Sequence, residues 1–225
     1  MVNNIRTVSD TKRDFYSHHT RPINSVYRRV VEELMVEMHL LAVNADFHYD
    51  PIYAFGVVTS FNKFMQGYRP EPDKAAIFKA LCQAVESNAD KYQQDAARLE
   101  SLARRLSGKE LIAWLSVEAP ESAGDDLYIA IANISKNQSF KYSRLFAIGL
   151  FTVLDLADPD LVKDEKQRQQ SFQPICTALN LPAEKLHKDL ELYLGNLEKM
   201  VQVRAMVEDT IQADRKKREQ RDAAK

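Results

Sequence analysis

A chain of 225 residues, 45% of them hydrophobic and 28% charged, is long enough to bury roughly 70% of its unfolded surface, and this balance excludes a mainly disordered protein. Its formal net charge of -1 excludes attraction to nucleic acid or to an acidic membrane through the average field, leaving local patches as the only route. Cys82 and Cys176 stand apart, with neither a CxxC partner nor a histidine pair at metal spacing, and read as buried small hydrophobes in a reducing compartment.

Only six glycines and eight prolines, against abundant Ala, Leu, Glu, Lys and Arg, favour helix throughout. The opening "MVNNIRTVSDTKRDF" has no apolar segment of the signal-peptide kind. Ser9 is the expected N-cap of a short helix to about His19, and Pro22 stops it from continuing. A second helix is expected from Ser25 to about Ala45, with Val26, Val30, Leu34, Met38 and Leu41 on one face and the pairs Arg28–Glu32 and Arg29–Glu33 on a solvated one. Asp50 and Pro51 start a third, which Gly67 ends. Its run "IYAFGVVTSFNKFM" is apolar nearly all round and so belongs at the centre of a bundle.

Asp73–Ser87, Asp90–Leu106 and Ser107–Leu115 read as amphipathic helices, the last opened by a capping box of Ser107 and Glu110. "VEAPESAGDD" is the clearest internal loop, followed by a helix from Asp126 to about Ser135. A second wholly apolar helix, Phe140–Leu156, is expected behind a Ser139 cap, and Gly56 and Gly149 would let the two central helices approach closely. Pro174 predicts a kink or break near Ser171 in the next helix. From Pro182 on, Leu190, Tyr193, Leu197, Met200, Arg204, Val207 and Ile211 alternate spacings of three and four, a coiled-coil-like arm. The fold class expected is therefore all-α: a globular multi-helix bundle over 1–180 and a long C-terminal helix over 181–225 with a frayed basic end. The longest uncharged apolar runs fall well short of the ~20 residues that cross a membrane as helix.

Catalytic patterns are missing. Six scattered glycines form no phosphate-cradling loop or nucleophile elbow. His39, Asp46 and His48 would gather a metal only if the end of the second helix folded back, and solvent or capping contacts are the simpler expectation. Glu32, Glu33 and Glu37 lack the ExxH partner of a di-iron site and read as a solvated face. Trp114, beside Leu111 and Leu115, reads as core. Arg215, Lys216, Lys217 and Arg218 could meet phosphate or anionic lipid, although Asp214, Glu219 and Asp222 interrupt them.

The stretches "NNIRTVSDTKRDFYSHHTRPINSVYRRVVEELMVEMHLL", "YDPIYAFGVVTSFNKFMQGY" and "LHKDLELYLGNLEKM" together resemble the thylakoid formation family, the photosystem II biogenesis factors of cyanobacteria and chloroplasts. The likeness covers nearly the whole chain. It implies an all-α protein without catalytic residues, metal or other cofactor, active in thylakoid formation and in the assembly and repair of photosystem II through the membrane-bound FtsH protease, whose accumulation it supports. The partners implied are the FtsH complex and photosystem II assembly or repair intermediates, with no nucleic acid. Without a transit peptide, the expected setting is the cytoplasmic side of a cyanobacterial thylakoid, as a peripheral protein. A monomer is expected, since Arg204 falls at an inward position of only about three regular heptads. The partner-binding element expected is the arm, through Arg204, Arg215, Lys216, Lys217 and Arg218. The alternative function is a helical protein that encloses a ligand, pigment or metal.

Overall fold

The computed structural model describes residues 6–118 and 126–223, with side chains as far as Met206. These residues form ten α-helices and one short 3-10 turn, with no strand among them. The chain falls into two compact units, one ending at Leu190 and one beginning at Glu191.

The first unit is organised around α3 (Pro51–Phe64) and α8 (Arg144–Ala157). All ten residues from Ile52 to Phe61 are buried, as their uninterrupted apolarity requires: a helix with no polar stripe is stable only when neighbours cover every side. Gly56 and Gly149 make the crossing possible. A Cβ on Gly56 would lie 1.7 Å from the Leu145 carbonyl oxygen, and one on Gly149 would lie 2.0 Å from that of Ile52, so backbone meets backbone where the sequence placed glycine. Gly56 faces Leu145 while Ile52, one turn earlier, faces Gly149; the two helices therefore run antiparallel.

Around this pair, α5 (Ala89–Ala103) packs on both α3 and α8, while α2 (Ser25–Ala42) packs on α3. Helix α1 (Val8–His18) lies against α2 and α4 (Asp73–Ala84). Helix α6 (Gly108–Leu115) joins α8, α7 (Asp126–Lys136) and α9 (Glu165–Ala178). Trp114 and Tyr128 pack with ring centroids 5.8 Å apart, which puts Trp114 in the core. Both cysteines are buried, and burial pushes their thiols up to about 12 at Cys82 and about 11 at Cys176. They pack as small hydrophobes and carry no thiolate at neutral pH.

Several helix ends follow the expected chemistry. Asp50 accepts the Tyr53 N–H at 2.8 Å with Pro51 in the first turn, and Ser107 and Glu110 form their capping box; α3 itself ends at Phe64 with Met65 as its C-cap, so Gly67, at a positive φ of 85°, shapes the turn that follows and does not end the helix. Two caps differ. The first helix is capped by Thr7, not Ser9, because the Asp10 carboxylate accepts the Thr7 N–H and completes a capping box there; three residues after Ser9 stands Lys12, which cannot accept one. Helix α8 starts behind Ser143, not Ser139, since Ser139 is held in a turn by the Asn137 side chain, which accepts its N–H at 3.0 Å. Helix α2 ends at Ala42 and α4 at Ala84, each about a turn earlier than periodicity alone suggests. Helix α9 continues through Pro174 without the expected break. Most of the loop "VEAPESAGDD" lies outside the described residues. Helix α10 (Ala183–Ala223) is the long C-terminal helix; its start is fastened within the first unit by Tyr142, whose hydroxyl donates to Asp189 at 2.8 Å.

Candidate interaction surface

Helix α2 follows Asn24, whose side chain accepts the Val26 N–H and caps it. At 3.6 residues per turn, Val31, Leu34, Met35, Met38 and Leu41 share the face that is buried. The expected stripe is thus correct at Leu34, Met38 and Leu41 but rotated, with Val26 and Val30 at its half-buried margin. His39 lies on the buried side with its Nδ1 2.8 Å from the Thr11 hydroxyl, which replaces the expected solvent or capping contact. His48 instead contacts the Asp46 carbonyl through Nδ1 at 3.1 Å. Among the described residues no group of three or more His, Cys, Asp or Glu side chains is placed to hold a metal.

The opposite side of α2 carries a second apolar row. Val36, Leu40 and Val43 are 37%, 56% and 42% exposed, and their spacing of four and three aligns them on the face turned away from the core. Along that face, from Ser25 to Leu40 and bordered by Arg144, runs a solvent-open groove of about 850 Å³. Its acids are all engaged. Glu32 accepts from Lys12 at 2.9 Å and from the Tyr16 hydroxyl at 2.8 Å; burial alone would raise its pKa, but these two bonds, with the nearby charges of Lys12 and Arg28, outweigh it and hold the carboxyl below the usual range. Burial and the same carboxylate push the Tyr16 hydroxyl up to about 12. Glu33 pairs with Arg29 at 2.9 Å and Glu37 with Arg144 at 2.6 Å. Although partial burial works against its charge, Arg144 is held above its ordinary value by Glu37. Arg28 is exposed and makes no ion pair among the described residues.

The face can therefore offer an apolar row, a band of acids bonded to Lys12, Arg29 and Arg144, and in Arg28 a further cation that is exposed beside them; it has neither a nucleophile nor an activated base. Of the residues expected to bind a partner, Arg204 is half-buried in α10. Arg215, Lys216, Lys217 and Arg218 lie on the helical backbone of α10, and their side chains are outside the described residues. The acids of α2 read in sequence as a solvated face, whereas they border an apolar row. The signal available was the row Val36, Leu40 and Val43, placed opposite Leu34, Met38 and Leu41.

The family model described as thylakoid formation protein matches residues 7–222. Protein Thf1 of Trichormus variabilis is 60% identical over 217 residues, 96% of this chain and 93% of that protein. Protein Thf1 of Nostoc punctiforme is 56% identical over 220 residues, 98% and 94% of the respective chains. Among solved structures, that of Psb29 superposes with a TM-score of 0.71 at 41% identity, covering 87% of this chain and 98% of its own. Matched from its first capping box almost to its last residue, the chain belongs to the thylakoid formation protein family.

Proposed function

We propose that this protein is a non-enzymatic accessory factor for photosystem II biogenesis and repair and for thylakoid formation, and that it acts by binding and stabilising the FtsH protease complex at the thylakoid membrane. The observation that carries the reading is family membership across residues 7–222, supported by 41% identity to Psb29 over nearly the whole of that solved chain. Two physical features agree with it. The core is filled by helix-to-helix burial around α3 and α8, and the groove of the first unit is open and lined by acids that are each bonded to a cation or hydroxyl, which suits contact with a protein better than chemistry on a small molecule.

Within this reading the protein works as a monomer on the cytoplasmic side of the membrane, held there peripherally, with photosystem II assembly or repair intermediates as indirect partners. The arm beyond Glu191, with Arg204, Arg215, Lys216, Lys217 and Arg218, is the element proposed to reach FtsH. The deciding experiment is co-purification from solubilised thylakoids with tagged intact protein and with a variant ending at Leu190. FtsH is expected with the first and strongly reduced with the second. Intact protein that brings down no FtsH would overturn the function; equal recovery with the shortened variant would overturn the role of the arm. Stoichiometric metal or a bound chromophore in the purified protein would favour a ligand carrier instead.

A further inference from the structure

We propose that the outer face of α2 is a docking surface for an amphipathic helix of a partner protein, one that sets apolar residues on Val36, Leu40 and Val43 and carboxylates on Arg28. The inference rests on the accessory-factor reading only in that it supposes a protein partner.

Three observations select that occupant. Val36, Leu40 and Val43 are partly exposed on the side of α2 that faces away from its own core, so the bundle does not cover them, and their spacing is that of a helix-in-groove contact. The carboxylates that line the groove are already bonded: Glu32 to Lys12 and Tyr16, Glu33 to Arg29, and Glu37 to Arg144. What remains is Arg28, exposed and outside any ion pair among the described residues, in a first turn that holds no acidic residue. The positive end of the helix macrodipole disfavours a cation there and favours an anion. A partner carboxylate would answer both the guanidinium and the helix end.

Distance fixes the pattern the partner must carry. Arg28 lies about 12 Å along the axis from Val36 and about 18 Å from Leu40 at ~1.5 Å per residue, and roughly 80° and 120° around it at 3.6 residues per turn, but all three side chains line the one groove. A helix lying along α2 therefore needs an acidic residue about eight positions from the nearer member of an apolar pair spaced by three or four. An anionic membrane fits less well, because the bonded acids leave Arg28 as the one surplus cation among the described residues of this face, and a single Lys or Arg gains only about 1 kcal/mol at an anionic surface. A second copy fits less well too: in a two-fold pairing of this face the carboxylates offered to Arg28 are those already bonded.

Photocrosslinking tests this. Benzoylphenylalanine is introduced in place of Leu40 in the full-length protein, the protein is illuminated in thylakoid membranes, and the adducts are sequenced by mass spectrometry. The same group in place of Ile129, 55% exposed on α7, is the control. The expected adduct is a peptide from another protein carrying the acidic and apolar pattern above, and Arg28→Glu should cut its yield at least fivefold while Arg28→Lys largely preserves it. An adduct to lipid, to a second copy or to a peptide without that pattern would overturn the proposal, as would a yield indifferent to Arg28→Glu or no adduct above the Ile129 control. If FtsH still co-purifies with the intact protein in those cases, the surface is wrong and the accessory-factor reading stands.

Discussion

An alanine methyl on Gly56 would sit 1.7 Å from the Leu145 carbonyl oxygen, and one on Gly149 would sit 2.0 Å from that of Ile52. Neither obstacle is a side chain that can rotate away; the antiparallel helices themselves must separate. Gly56→Ala and Gly149→Ala should each cost about 3 kcal/mol, at the upper end for added methylenes in a packed core, read as a lower urea midpoint. Gly195, in the middle of α10, has nothing within 4 Å of where its Cβ would stand. There the only consequence is lost backbone freedom in the unfolded chain and better helix propensity, so Gly195→Ala should stabilise by about 0.5–1 kcal/mol. His39 supplies a pH-dependent counterpart. Burial, reinforced by Arg6, holds its pKa below the ordinary 6.5. The unfolded chain therefore takes up a proton near pH 6.5 that the folded protein refuses, and the stability present above that pH is lost as pH falls toward the folded value. Denaturation at pH 7 and pH 5 should show a smaller loss for His39→Gln, which keeps a partner for Thr11, than for the natural protein. Some acid sensitivity should persist, because burial lowers His19 in the same direction.

At the scale of elements, Pro174 makes the sharpest demand. Helix α9 runs through it although the ring removes the N–H that would bond one turn back and crowds that carbonyl. Burial of Phe172, Ile175 and Cys176 holds the segment helical against this local cost. Pro174→Ala should restore the missing bond and raise stability by about 1–2 kcal/mol after the entropy it returns to the unfolded chain; a fall in melting temperature would show that the ring itself is needed for packing. The same contest explains what could be read from the sequence. Asp50 with Pro51, Ser107 with Glu110, and the uninterrupted apolar runs of α3 and α8 were legible because each signal is local. The rotation of α2 was not. Apolar residues at 26, 30, 31, 34, 35, 36, 38, 40 and 41 nearly surround it, and contact with α1 and α3 decides which of them turn inward. Nor could the sequence pair Glu32 with Tyr16 or Glu37 with Arg144, residues 16 and 107 positions apart, since those contacts exist only once the helices have packed.

For the whole molecule, the proposed function raises the question of what would hold it to a membrane. No helix among the described residues is long and apolar enough to cross one, and the net charge is -1. Residues 207–225 hold six basic and five acidic side chains, so Arg215, Lys216, Lys217 and Arg218 are largely offset by their neighbours. A basic segment gains about 1 kcal/mol per unopposed Lys or Arg at an anionic surface, and at physiological salt that attraction dies within about 8 Å. Such a tail is too weak to anchor the protein, which makes a membrane-bound protein partner the better holdfast. Purified protein should therefore sediment only weakly with phosphatidylglycerol vesicles at 0.15 M ionic strength, on the Debye scale just given, while sedimenting with thylakoid membranes that contain FtsH. Membranes stripped of FtsH should release it into the supernatant. If it stays on those membranes, or binds the bare vesicles equally well in high salt, lipid contact is the anchor and the partner-based account of its location fails.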